Sequence, residues 1–350
     1  MSKIVHLGRN GLIMNKFVQF MEENFDNRKH IYFLTGQNIN NNKNVIDIRN
    51  KFDFIKKIFY LNFQLYKTEK IIIHGFDQTY MFFILLFQPW LIKKVYWVIW
   101  GWDLYSYKYP VIDFKTKVIQ NIKKIIFPKI KYLITYIEGD YELAKKWYDI
   151  KSTNYYECIM YPSNFYKENY DTNLDDRKDL YKDTLNIQIG HSASESNNHL
   201  YIFQKLKYFA DENIKIFIPL SYGKNDNLNE IIKQGKNIFC DKITFLNDIL
   251  SFDEYIKFQS SIDIAVFAHD QQEAMGNIIT LLGLGKKVYI RNDITPFKFF
   301  EKIGVKIYDI ENINIDLIDE KIKKENQKKI KEYFSKENYI KQLKNIFEDK

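Results

Sequence analysis

Apolar, β-branched runs alternate with amphipathic segments along nearly the whole chain. In the first half such runs occupy 4–7, 31–35, 45–48, 71–74, 95–100 and 132–136, with 155–159 a candidate seventh. Helical spacing fills most gaps, notably 15–24, 52–66 and 80–88. Strands apolar on both faces and separated by helices predict βαβ units and a parallel sheet. The pattern lapses from 162 to 183, a stretch rich in Tyr, Asn, Asp and Lys that reads as an interdomain linker. The rhythm restarts at 185–189 and continues through 214–220, 243–246, 262–267, 288–291 and 305–308; 317–349 is helical and highly charged. The expectation is an α/β protein of two Rossmann-like halves. Its boundaries are an N-terminal domain 1–162, a linker 163–184, a C-terminal domain 185–330 and a terminal helix 331–350.

Composition supports two ordinary domains. The 350 residues are 46% apolar, so the chain can bury two cores. Cys158 and Cys240 are too few for a disulfide framework or a four-ligand zinc site. No signal-peptide h-region is visible at the start. The most apolar run, 79–92, is too short for a bilayer and carries Pro89.

Charge divides the halves. Residues 1–160 hold 24 Lys and Arg against 14 Asp and Glu, whereas the whole chain has 52 against 44. The basic excess belongs to the first half and points to a polyanionic partner there. Its densest stretch, 108–131, interleaves Lys115, Lys117, Lys123, Lys124 and Lys129 with apolar residues, among them Ile112, at roughly helical spacing. One reading is a basic helix on an anionic membrane surface. The other is an ordinary helix with its apolar face on a sheet and its lysines in solvent.

Open parallel sheets bind ligands beyond their strand C-termini, so the strand-end loops carry the candidate chemistry. Gly190, His191 and Ser192, with Asn198 and His199 at the next helix, offer a small polar turn able to meet an anion. Ser221, Tyr222 and Gly223 follow the next strand. Between 267 and 277, Gln271 and Gln272 precede Gly276 and Asn277 at a helix start, which supplies side chains for sugar hydroxyls and amides for a phosphate. In the first half, Trp100, Trp102 and Tyr105 surround Asp103, an aromatic wall with one carboxylate for an acceptor hydroxyl. The alternative is a structural Asp that holds the following turn. Gly8 and Arg9 end the first strand, and His74 ends another. No Asp-x-Asp, zinc spacing, P-loop or G-x-S-x-G occurs, so neither a metal nor a cofactor is expected.

These loops carry a resemblance. Trp100-Gly101-Trp102-Asp103-Leu104-Tyr105 and Ile73-His74-Gly75 in the first half are one part of it. In the second half, Ile189-Gly190-His191-Ser192, Asn197-Asn198-His199, Ile218-Pro219-Leu220-Ser221-Tyr222 and Gln271-Gln272 with Gly276 follow in order. The chain resembles the TDP-N-acetylfucosamine:lipid II N-acetylfucosaminyltransferases, the 4-acetamido-4,6-dideoxygalactosyltransferases of glycosyltransferase family 56. Departures are His191 where Asn is expected and an enlarged loop at Glu273, Ala274 and Met275.

The resemblance implies a GT-B architecture, two Rossmann-like domains with parallel sheets facing across a cleft. It implies transfer of a deoxy-amino sugar from a nucleoside diphosphate, dTDP in the family, to a lipid-linked or other cell-surface glycan. The enzyme would work without metal at the inner face of a bacterial inner membrane, reached through 108–131. Donor-binding residues would be Gly190, His191, Ser192, Asn198, Ser221, Tyr222, Phe245, Gln271, Gln272, Gly276 and Asn277. Acceptor-binding residues would be Gly8, Arg9, His74, Trp100, Trp102 and Tyr105, with Asp103 catalytic. Rival readings are another nucleotide-sugar-dependent GT-B enzyme of capsule or lipopolysaccharide synthesis, a nucleotide-sugar epimerase, and a non-catalytic polyanion-binding protein. Nucleic acid is the least favoured partner, since the lysine-rich segment has no recognised nucleic-acid module.

Overall fold

The computed structural model describes residues 3–36, 42–111, 113–151, 154–166 and 184–348. The chain divides into two compact units, Met1–Ser163 with Lys336–Lys350, and Asn164–Ser335.

The first unit holds a seven-stranded sheet, β1 (Ile4–Arg9), β2 (His30–Thr35), β3 (Val45–Ile48), β4 (Lys70–His74), β5 (Val95–Val98), β6 (Tyr132–Ile134) and β7 (Asn154–Tyr156). Its order is β3-β2-β1-β4-β5-β6-β7, with every pair parallel. Crossovers run through α1 (Leu12–Asn24), α2 (Lys51–Lys67), α3 (Thr79–Phe87), α4 (Trp102–Tyr105), α5 (Phe114–Ile126) and α6 (Glu138–Tyr148). The strands are apolar on both faces because helices cover both. Val5, Ile71, Ile73, Val95 and Trp97 form the centre of the core.

The second unit repeats the plan with β8 (Leu185–Ile189), β9 (Ile214–Pro219), β10 (Ile243–Leu246), β11 (Ile264–Val266), β12 (Lys287–Ile290) and β13 (Tyr308–Asp309). The order is β10-β9-β8-β11-β12-β13, again all parallel. Its helices are α7 (His199–Leu206), α8 (Leu228–Phe239), α9 (Phe252–Ser260), α10 (Met275–Gly283), α11 (Thr295–Lys302) and α12 (Glu320–Tyr333). Caps set several starts. Asn50 accepts from the amides of Phe52 and Asp53, and Ser251 and Glu254 form a capping box on α9.

At the C-terminus, α12 ends at Tyr333 and a separate helix, α13 (Lys336–Glu348), lies within the expected terminal helix 331–350 and belongs to the first unit. There Tyr339 donates to the Met160 carbonyl at 2.5 Å, the amide of Ile159 donates to Gln342 at 2.9 Å, and Lys70 donates to the Ile346 carbonyl at 2.6 Å. The strand expected over 305–308 is only Tyr308–Asp309, because Val305 and Ile307 are buried without a ladder partner. Most of the expected linker, 167–183, lies outside the described residues, as does Ile112.

The basic segment 108–131 folds as α5, capped by Asp113. Ile122 and Ile126 enter the core and Val118 and Ile119 pack against it. Lys115, Lys117 and Lys124 are exposed, whereas Lys123 is buried. Among the described residues, no helix is long and apolar enough to cross a membrane.

Candidate functional site

In each sheet the strand order reverses beside the first strand, between β1 and β4 and between β8 and β11. The loops leaving those strands diverge to opposite sides, and the gap between them is where such sheets take ligands. Each unit therefore has one predefined position for chemistry; Gly8, Arg9 and His74 lie at it in the first unit, and the loops 190–198 and 267–274 in the second, while the other candidates follow neighbouring strands.

In the second unit, β8 ends at Gly190, whose φ of +64° is a left-handed conformation. A Cβ there would sit 2.6 Å from Asn197 Oδ1, so only glycine fits. Asn197 is fully buried and organises the loop. Its Oδ1 accepts from the His191 amide at 2.9 Å and lies 3.1 Å from His191 Nδ1 and 3.2 Å from His269 Nε2. Its Nδ2 donates to Ser192 Oγ at 3.0 Å and to the Ser194 carbonyl at 3.2 Å. One carboxamide thus ties the loop after β8 to His269 after β11. Asn198 adds a second tie, donating to the Ala268 carbonyl at 2.8 Å.

Glu273 closes this arrangement. It accepts from Ser196 Oγ at 2.9 Å and faces His191 Nε2 at 3.8 Å. Burial raises the Glu273 pKa and lowers that of His191 to about 4, so both are pushed towards neutrality. His269 is lowered by burial and by His191 and His199. His199 is lowered to about 4, and neither of its ring nitrogens has a hydrogen-bond partner among the described residues. His191, His269 and Glu273 present candidate ligand atoms within 4.8 Å of one another, and they form the metal-capable group found among the described residues.

α10 points its N-terminus out of the loop after β11. Gly276 and Asn277 lie in its first turn, whose amides have no acceptor within the helix. The Asn277 side chain is already committed, accepting from Tyr255 at 2.7 Å and Gln259 at 3.1 Å. Its contribution to a ligand is therefore its amide. Tyr222 is exposed, with its ring 5.8 Å from that of His191. Ser221 precedes it, half-buried; Gln271 and Gln272 are also half-buried. Phe245 is placed differently. It packs against the core beside Gly235, where a Cβ would meet its ring at 3.1 Å.

In the first unit, Gly8 and His74 end β1 and β4 side by side, since a Cβ on Gly8 would meet His74 Cβ at 3.1 Å. His74 is buried in a hydrogen-bonded row. His30 Nδ1 meets His6 Nε2 at 2.9 Å, His6 Nδ1 meets His74 Nε2 at 3.0 Å, and His74 Nδ1 meets the Tyr161 hydroxyl at 2.8 Å. Trp100 donates its indole N–H to the same hydroxyl. Burial lowers all three histidines, His74 to about 3 and His30 to about 4, so the row is neutral.

Asp103 is 1% exposed. Its Oδ2 accepts from the Phe76 amide at 3.1 Å and from the Trp97 indole; its Oδ1 accepts from the amides of Trp100 at 3.0 Å and Leu104 at 3.1 Å. Four donors from the chain occupy the carboxylate, the geometry of an Asp that holds its turn. Burial raises its pKa against the pull of those donors. Tyr105 is also turned inward, its hydroxyl donating to Asp140 at 2.8 Å. Of the expected aromatic wall, Trp100 and Trp102 reach the surface.

The exposed carboxylate at this edge is Asp77, two residues beyond Gly75. Although the residue faces solvent, partial desolvation of its carboxyl raises its pKa, with Arg9 opposing and Asp103 reinforcing the rise. Asp77, Glu273 and the pivotal role of Asn197 were not picked out from the sequence. The one available signal was position, since each lies within a strand-end loop.

Two Rossmann-type sheets in one chain, each with polar loops at its reversal point, define the GT-B class. The family described as 4-alpha-L-fucosyltransferase glycosyl transferase group 56 matches residues 12–349. The chain belongs to this family, and it is a nucleotide-sugar-dependent GT-B glycosyltransferase. Solved structures share the fold. A glycosyltransferase from Rickettsia africae ESF-5 is 13% identical with a TM-score of 0.64, over 99% of this chain and 98% of that one. Anabaena Alr3699/HepE, solved with UDP and glucose, is 9% identical with a TM-score of 0.68 over the full length of both. WaaG, a glycosyltransferase involved in lipopolysaccharide biosynthesis, is 8% identical with a TM-score of 0.64, over 99% of this chain and all of that one.

Proposed function

We infer that the protein transfers a deoxy-amino sugar of the 4-acetamido-4,6-dideoxygalactose type from dTDP to a hydroxyl of a polyprenyl-diphosphate-linked glycan. It would do so at the inner face of a bacterial membrane. The observation that carries this reading is the second unit's loop after β8, which Asn197 and Asn198 tie to His269 and Ala268 in the loop that leads into the N-terminus of α10. First-turn amides and a helix dipole stabilise a diphosphate as negative charge builds on it. Neutral His191 and His269, with Glu273, suit hydroxyl and amide groups of a sugar better than a second anion. Tyr222 is placed to stack on base or sugar. The transfer is read as metal-independent, with no cofactor.

The acceptor falls to the first unit. Trp100 and Trp102 give a sugar face to stack against, and Arg9 and Asp77 give it polar partners. Asp77 would orient the acceptor hydroxyl and take its proton, its raised pKa making it a better base. Asp103 would act through Trp100 as a positioning residue. The deciding experiment is thermal shift with dTDP, UDP and GDP, since a ligand of the native state raises apparent stability by mass action. Selective stabilisation by dTDP is expected; selective stabilisation by UDP or GDP would overturn this donor assignment.

A further inference from the structure

α2 carries two apolar stripes, and only one belongs to the fold. Leu61 and Leu65 enter the core, with Phe54 and Ile58 packed against it. A second row, Phe52, Ile55, Phe59, Phe63 and Tyr66, recurs at steps of three, four, four and three, the spacing of one helix face. All five are exposed, Phe59 by 81% and Phe52 by 77%. The hydrogen bond from Gln88 to Asn62, 2.8 Å, holds the segment after α3 beside α2. Phe87 at the end of α3 and Trp90 just after it are also exposed. A contiguous aromatic face of this kind marks an interaction site rather than scattered surface residues.

The charges around the stripe say what covers it. Lys51, Lys56 and Lys67 flank it and are exposed, and Lys67 Nζ lies 4.2 Å over the Phe63 ring. α2 contains a single acid, Asp53, whose carboxylate accepts from the Arg49 amide at 3.1 Å. A second copy of the same face would bring lysines against lysines. An anionic lipid surface answers both features, taking the aromatic rings below the headgroups and the ammonium groups among the phosphates. We propose that the outward face of α2, with Phe87 and Trp90, is the surface by which this protein docks on an anionic bilayer. Its exposed apolar face is larger than that of α5, where Ile122 and Ile126 enter the core and only Phe114 and Ile125 remain outside. The proposal rests on the reading of a membrane-borne acceptor and says which surface meets that membrane.

The test is co-flotation of the full chain with phosphatidylglycerol–phosphatidylethanolamine vesicles, beside phosphatidylcholine vesicles. The wild type is expected to float with the anionic vesicles only. The double variant Phe59→Ser, Phe63→Ser should lose roughly tenfold or more in partitioning, given the transfer value of two phenyl rings. Lys56→Gln with Lys67→Gln should lose binding to anionic vesicles in the same direction. Unchanged flotation of the double phenylalanine variant would overturn the assignment, as would absence of wild-type flotation. A concentration-dependent dimer that this variant abolishes would also overturn it, giving the face to a second copy. Nucleoside diphosphate binding, measured in the same variants without vesicles, should be unchanged. Its presence or absence in the wild type judges the donor reading separately from the docking surface.

Discussion

Asn197 Oδ1 lies 3.1 Å from His191 Nδ1 while also accepting the His191 backbone amide at 2.9 Å. One buried oxygen therefore sets both the path of the loop after β8 and the direction of its imidazole. Replacing it orphans several buried groups, each costing about 1–3 kcal/mol. Asn197→Ala should lower the thermal midpoint of the second unit and weaken nucleoside diphosphate binding about tenfold or more. Calorimetric titration checks this; unaltered affinity in the folded variant would remove Asn197 from the donor loop.

Gly190 makes a sharper case. Its φ of +64° and the 2.6 Å approach of Asn197 Oδ1 leave no space for a methyl group. Gly190→Ala should displace Asn197 and abolish donor stabilisation in a thermal-shift assay. Gly11→Ala is the control, since nothing lies within 4 Å of a Cβ there. Equal donor response in both variants would refute the argument.

Asp77 and Asp103 separate base from scaffold. Asp77→Asn should keep the wild-type melting temperature and cut turnover at least about 100-fold, the low end of general-base effects. Asp103→Asn places an NH2 group where four N–H donors converge, so it should lose roughly 2–4 kcal/mol of stability, as for a disrupted buried network with a charged member. An Asp103→Asn protein with normal melting and no turnover would return the catalytic role to Asp103.

All six histidines of the chain are buried with lowered pKa values, burial being the main cause in each. A base with a depressed folded pKa binds fewer protons when folded than when unfolded, between the two values. The stability it contributes is thus complete above about pH 6.5 and drains as pH falls towards 4. Each histidine can remove up to about 1.4 kcal/mol per pH unit in that window. Urea unfolding at pH 7.5, 6.0 and 5.0 should show stability falling steeply below 6.5, and a flat profile would contradict neutral buried rows.

Chelation tests the three-residue group at His191, His269 and Glu273. Turnover should survive prolonged dialysis against a chelator. Loss of turnover restored by added zinc would assign these side chains to a metal.

Strand positions were legible because strands covered on both faces are written as mostly apolar runs, and all thirteen strands among the described residues overlap a predicted run. Ends were less legible. The segment 262–267 pairs only over Ile264–Val266, since ladder length depends on the neighbouring strand. The break after Tyr333 carries no Gly or Pro, so the local sequence does not announce where α12 stops.

For the site, the chain by itself determined which loops matter, since parallel-sheet topology sends them all to one edge. It also determined that basic charge lies in the first half. Which side chain in each loop faces a ligand was decided only by tertiary structure. Tyr105, His74 and Asp103 look available in a linear reading, yet their partners turn them inward: Asp140 and Tyr161 from far along the chain, and for Asp103 the Phe76 amide beside nearby Trp97. Burial is a long-range property, and local spacing does not encode it. The same holds for α2 and α5. Both read as amphipathic, but packing determined that α5 turns Ile122 and Ile126 into the core and leaves Phe114 and Ile125 outside, while α2 keeps a whole second stripe outside.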